Sequence, residues 1–223
     1  MQYILTGYTT AMDVPDRLRG WPLLAATSPS QSIPFSSVIR DLQEMLEANG
    51  MCYAIVGGVA VVRLGSERTT GDLDVLLRRD EWRAFLAAPS KSPRTFEVQE
   101  DWAAHQPTGT PIDLLFAGDD WELPFLLPDP AEVREWDEAL GAWFMKPAAL
   151  LQLKASVYQS KLAEYGAATA AKDLNDVYNL LSARRELRDP GLLASLQPTV
   201  RQTVLQAIQE IEKREKRGPK RPK

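Results

Sequence analysis

Apolar and polar positions alternate along this chain in two periods, one on each side of about residue 146. In "SSVIRDLQEMLEANG" Val38, Leu42, Met45 and Leu46 recur at helical spacing, Ser36 or Ser37 can cap the start, and Gly50 is placed to end the helix. "CYAIV" predicts a buried strand, "VAVVRL" a short helix after Gly57-Gly58, and "DLDVLL" a second strand. "RDEWRAFLAA" then predicts a helix, "TFEVQE" a strand, and "PIDLLFA" another, with Pro111 at its start, where a missing donor is tolerated. Beyond residue 146 the period is helical throughout. Pro147 suits the first position of "PAALLQLKASVYQSKLAEY", and "TAAKDLNDVYNLLSARREL" follows the break at Gly166. In the latter, Leu174, Val177, Tyr178 and Leu181 share one face, and Lys172, Asp176 and Asn179 lie on another. Pro190 and Gly191 interrupt, and a last amphipathic helix is expected from Thr199 to Lys213.

These patterns divide the chain into an irregular segment over 1–34, a core of mixed strands and helices over 35–145, a helical domain over 146–212 and a basic, disordered tail over 213–223. The expected class is α/β (α+β), a mixed sheet flanked by helices and followed by a C-terminal helical domain. At 223 residues with 44% hydrophobic and 25% charged content, a sizeable core is affordable. No apolar run is long enough to span a membrane and the first residues lack a signal-peptide pattern, so the expected compartment is the cytoplasm. One cysteine, Cys52, excludes an internal disulfide and a cysteine-cluster zinc site, and its apolar surroundings predict a small buried hydrophobe. One histidine, His105, argues against a histidine-based nucleophile, and the polar run "DWAAHQPTG" places it in a loop. Carboxylates, lysines and a hard metal ion are left to supply any chemistry. The last eleven residues hold seven Lys or Arg and one Glu; the chain's −4 less the tail's +6 leaves −10 on the remainder. The tail is either a solvated terminus or an attractor of nucleic acid.

Against this background "TTGDLDVLL" is anomalous. Residues i and i+2 of a strand point to one face, so Asp72 and Asp74 present two carboxylates side by side while Leu73 and Val75 face the core. Like charges at that spacing repel, and without a cation between them one tends to keep its proton. Hard oxygen donors of this kind suit Mg²⁺, usually held by one or two carboxylates with waters and substrate phosphates. "TPIDLLFAG" offers a third acid of the same design, Asp113 between Ile112 and Leu114. If the two strands are neighbours the three acids converge, and such a set can bridge two divalent ions about 3.5–4 Å apart for in-line phosphoryl or nucleotidyl displacement. Upstream, Gly57 and Gly58 fall between a strand and a helix, where backbone N–H groups can approach a phosphate, or where they make only a tight turn.

The series of strand, Gly-Gly, helix and Asp-x-Asp, followed by a strand aspartate, resembles the DNA polymerase β-like nucleotidyltransferase superfamily, in particular its minimal nucleotidyltransferases and the abortive-infection (AbiEii-like) toxin branch. The matching text is "VGGVAVVRLGSERTTGDLDVLL", "IDLLF" and the helical "KASVYQSKLAEYGAATAAKDLNDVYNLL", within residues 36–185. The resemblance implies a nucleotidyltransferase fold with a helical domain closing the cleft. It also implies Asp72 and Asp74 as metal ligands, and Asp113 as the third acid, which helps deprotonate an attacking hydroxyl. Two Mg²⁺ ions are implied, with Mn²⁺ as a substitute. Many members carry Gly-Ser where this chain has Gly57-Gly58, so a hydroxyl contact to the triphosphate is missing here. Lys154 and Lys172 match helix lysines that neutralise a triphosphate, and with Arg68, Asp176, Gly57 and Gly58 they complete the expected nucleotide-binding set. Lys172 and Asp176 can also form an i, i+4 surface pair, and Arg68 can be simply solvated. The implied function is transfer of NMP from an NTP to a hydroxyl of RNA, recruited by the tail from Lys213 to Lys223, or of a small molecule or protein, with an antitoxin-like protein as a further partner. The alternative is a nucleotide-binding regulatory module of the same fold acting through a protein partner.

Overall fold

The structure is a computed structural model, and it describes residues 35–66, 70–88, 95–120, 123 and 125–217. Arg68, the irregular segment 1–34 and the tail residues 218–223 therefore lie outside the described residues.

Helix α1 (Phe35–Ala48) turns Val38, Ile39, Leu42, Met45 and Leu46 inward and leaves its charged face to solvent. Each such aliphatic side chain contributes about 1.5–3 kcal/mol on burial. The chain then forms β1 (Tyr53–Val56), α2 (Gly57–Arg63), β2 (Leu73–Leu77), α3 (Arg79–Ala87), β3 (Phe96–Val98), β4 (Trp102–His105) and β5 (Thr110–Phe116). A short α4 (Pro130–Val133) and the hairpin β6 (Arg134–Asp137) and β7 (Ala142–Met145) complete the sheet. The seven strands lie in the order β3-β4-β5-β2-β1-β7-β6. β2 pairs antiparallel with β1 and parallel with β5, and β1 pairs parallel with β7, so the sheet is mixed. β1 is buried along its whole length, as a central strand covered on both faces must be.

The helical region consists of α5 (Pro147–Tyr165), α6 (Ala167–Ala183), a 3-10 turn (Arg185–Arg188), α7 (Pro190–Ser195) and α8 (Pro198–Arg217). Helices α5 and α6 form a hairpin across Gly166, whose φ of 81° is a value that a side chain resists. α5 is buried on nearly every side from Leu150 to Ser156, and Val200, Val204, Ala207, Ile208 and Ile211 bury one face of α8 in the common core. Asp189 caps α7 by accepting from the amides of Gly191 and Leu192 at 2.9 and 3.0 Å. No helix among the described residues is long and apolar enough to cross a membrane.

Three expectations need correction, and one hairpin was not expected at all. His105 is not in a loop: it belongs to β4 and is 1% exposed, with Nε2 3.0 Å from Asp41 Oδ2 and Nδ1 2.7 Å from Thr108 Oγ1. The period of two in "WAAH" is faint because alanines carry it. The hairpin of β6 and β7 carried no expectation. There Arg63 on α2 holds β6 through Glu135 at 2.8 Å and Asp137 at 2.6 Å, while Asp137 also closes the turn by accepting from Ala139 and Leu140. Helix α8 runs on through Arg217, so residues 213–217 are helical and not a disordered tail. On α6 the buried face is Ala170, Asp173, Asp176, Val177, Leu180 and Leu181; Leu174 and Tyr178 lie at its margin, and Asp176 is inside.

Candidate active site

The acids gather where β1 ends and β2 begins, beside the middle of β5. Val56 pairs with Asp74, and Asp74 pairs with Asp113, in consecutive strands of the sheet. Two carboxylates in register on adjacent parallel strands project from the same face. Asp72 lies just before β2, which starts at Leu73, and it accepts a 2.5 Å bond from Thr70 Oγ1. Its place beside Asp74 is therefore held by the loop and not by the ladder. Leu73 and Val75, the residues flanking Asp74, are fully buried on the opposite side.

Gly57 is required by the same geometry. It opens α2 with φ 63°, and a Cβ built on it would stand 1.7 Å from Asp74 Oδ2 and 2.3 Å from Asp74 Cγ. The backbone of the β1–α2 junction thus lies directly against the carboxylate. Gly58 N donates to Asp74 Oδ2 at 3.3 Å. Burial, and after it the charge of Asp72, push the Asp74 carboxyl above its ordinary range; the ammonium of Lys154, the Gly58 amide and the ammonium of Lys172 act in the opposite sense.

Both lysines come from the helical region. Lys154 on α5 is 9% exposed, and Lys172 on α6 is exposed. The alternative Lys172–Asp176 pair is not what forms: Asp176 Oδ2 lies 2.9 Å from Lys154 Nζ, and among the described residues no ion pair to Lys172 is seen. Asp176 sits inside the α5–α6 seam, which puts it out of reach of a side chain on the solvent face. Sequence reasoning passed over Asp173 and Lys161, which join this cluster through a 2.8 Å contact. The signal was available: Lys154 and Lys161 are seven residues apart, hence on one helical face, and Asp173 and Asp176 are three apart.

Asp72, Asp74, Asp113, Gly57 and Gly58 are thus adjacent, and the charges of Lys154 and Lys172 act on Asp74. Among the described residues no three Asp, Glu, His or Cys side chains converge closely enough to cage an ion by themselves. The far end of the same strands, where Arg78, Arg79 and Arg83 line an open depression of about 860 Å³, is a weaker candidate. Its arginines are engaged by Asp129, Glu81, Asp119 and Glu100.

The fold is nucleotidyltransferase-like in architecture: a mixed sheet flanked by helices, with a helical region attached. An antigenic nucleotidyltransferase-like protein from Paracoccidioides brasiliensis shares this fold at a TM-score of 0.54, with 18% identity over 80% of this chain and 88% of that one. The antibiotic-resistance factor ANT(2'')-Ia in solution matches at a TM-score of 0.46, with 13% identity over 82% of this chain and 97% of its own. The crystal structure of ANT(2'')-Ia in complex with adenylyl-2''-tobramycin matches at 0.46, with 12% identity over 78% and 98%. No protein-family model matches the sequence, and no curated protein matches it.

Proposed function

We propose that this protein transfers NMP from an NTP to a hydroxyl acceptor with Mg²⁺ as cofactor. The observation that carries the reading is the Asp74–Asp113 register with Gly57 packed against Asp74. Like-charged carboxylates in adjacent positions, with Asp74 pushed above its ordinary range by burial, are costly in a structural role, and a hard cation relieves them. The donor set fits Mg²⁺: oxygen ligands only, from Asp72 and Asp74, with Asp113 adjacent and the remaining positions left to water and phosphate oxygens. When bound, two Mg²⁺ ions, or Mn²⁺ in their place, supply charge neutralisation at the reacting phosphate and at the leaving pyrophosphate.

The chain's own residues do the rest. Asp113 takes the proton of the attacking hydroxyl; the oxygen forms its bond to the α-phosphorus as the bond to pyrophosphate breaks. Gly57 and Gly58 bring backbone close to the phosphates without side chains between, at the start of α2. Lys154 and Lys172 offset triphosphate charge from the helical side, and Arg68, which lies outside the described residues, is the further basic residue of the proposed set. Asp176 contributes by pairing with Lys154.

For the acceptor we favour RNA. The motivation is charge: seven basic residues between Lys213 and Lys223 on a remainder of −10. A small molecule or a protein is the other acceptor class. An antitoxin-like partner belongs to the resemblance with the AbiEii-like branch.

Incubation with each α-labelled NTP, Mg²⁺ and total RNA tests the proposal. Label should enter RNA with the unaltered chain and not with Asp74→Asn. Mg²⁺-dependent NTP binding without transfer to any acceptor would favour the regulatory-module reading. Absence of NTP binding would refute both.

A further inference from the structure

Helices α5 and α6 enclose three charged side chains in their seam, and a fourth, Lys161, joins them from its exposed edge. Lys154 Nζ is 2.9 Å from Asp176 Oδ2 and 3.7 Å from Asp173 Oδ1, and Asp173 Oδ2 accepts a 2.8 Å bond from Lys161 Nζ. Lys154, Asp173 and Asp176 are each more than nine-tenths buried, at 9, 3 and 2% exposure. Removing such charges from water costs several kcal/mol per ion, and apolar residues of similar volume often fill a seam of this kind at no loss of stability. The arrangement is therefore poorly explained by stability alone.

Its direction is informative. The Lys154 ammonium meets both α6 carboxylates. Helix α2, which opens at Gly57 against Asp74, packs on both α5 and α6, so the seam lies beside the acid cleft. The Lys154 charge accordingly opposes burial and the Asp72 charge at Asp74. Its contact with Asp173 is the longer of these two, and Lys161 occupies the other oxygen of that carboxylate.

We infer that Asp173 and Lys161 are positioning residues for nucleotide binding: Asp173 holds the Lys154 ammonium at the mouth of the acid cleft, and Lys161 shares the Asp173 charge so that Lys154 is steadied without being drawn back into the seam. The inference rests on the nucleotidyl-transfer reading, in which Lys154 meets the phosphates. Asp173 and Lys161 themselves touch no substrate.

A double-mutant cycle tests it, with N-methylanthraniloyl-labelled ATP, GTP, CTP and UTP as probes in the presence of Mg²⁺. Dissociation constants are measured for the full chain, Asp173→Asn, Lys154→Met and the double variant, and thermal melting is recorded for each. Asp173→Asn should weaken binding of the best nucleotide about tenfold, equivalent to about 1.4 kcal/mol, and should have no further effect once Lys154 is Met. Lys161 is half exposed, so Lys161→Met is expected to fold; it should weaken binding several-fold, and Lys161→Arg should restore it. In turnover the changes from Asp173→Asn and Lys161→Met should fall on KM and leave kcat within about twofold. Additive effects of Asp173→Asn and Lys154→Met, or losses in melting temperature with unchanged nucleotide affinity, would overturn the inference and leave the function standing. An unaltered chain that binds none of the four nucleotides would overturn both.

Discussion

Replacing Gly57 with alanine probes the site where backbone and chemistry meet. Two costs add. Alanine at φ 63° sits in the left-handed region, at about 1–2 kcal/mol. The new methyl would also stand 1.7 Å from Asp74 Oδ2, 2.3 Å from Cγ and 2.7 Å from Cβ. Rotating the carboxylate relieves the first two contacts but not the third, which belongs to the strand. Either β2 or the β1–α2 junction must shift, and overpacking of that kind costs about 1–3 kcal/mol. The sum is about 2–5 kcal/mol, or roughly 4–20 °C in melting temperature at 2–4 °C per kcal/mol for a unit of this size. The functional loss should be larger than the structural one, because the carboxylate that moves is the one proposed to bind Mg²⁺. Calorimetric melting gives the first quantity, and titration with NTP in the presence and absence of Mg²⁺ gives the second. A Gly57→Ala protein that melts within 2 °C of the parent, about the shift for the first kcal/mol, and binds Mg²⁺–NTP normally would refute the reasoning.

In EDTA, folding stability should fall as pH rises from the ordinary range of Asp74 through its raised value, since the folded state keeps a proton that the unfolded state releases there; urea melts of Asp74→Asn should lack that slope and show no transfer. Lys172→Ala should weaken NTP binding with an unchanged melting temperature, because the side chain is exposed and acts on the cleft through its charge. His105→Ala should destabilise by about 2–4 kcal/mol in urea, as it empties a buried site and strips Asp41 and Thr108 of a partner. Deleting residues 218–223 removes Lys220, Arg221 and Lys223 and should lower the slope of log K for single-stranded RNA against log salt by up to about 2, at about 0.7 per contact; an unchanged slope would return the tail to a solvated end.

What the sequence determined by itself was local and periodic. The apolar stripe of α1, the fully apolar β1, Pro147 opening α5 and the break at Gly166 each follow from a repeat or a backbone constraint readable within a dozen residues. The anomaly of Asp72 and Asp74 beside buried Leu73 and Val75 was equally legible, because a charged residue in an apolar strand stands out without any partner in view. Where signals were diluted, reading stopped: β4 hides in two alanines and a histidine, and nothing in "REWD" announces a strand that pairs with "AWFM". Only the tertiary structure decided which strands are neighbours, and hence that Asp113 stands in register with Asp74 across forty residues of chain. It also decided that Asp176 turns inward to Lys154 rather than outward to Lys172. A charge on a helix has nearby partners available along its own face, and the choice between them and a distant lysine depends on which face the neighbouring helix covers. That information lies in the packing of α5 against α6, not in the sequence of either.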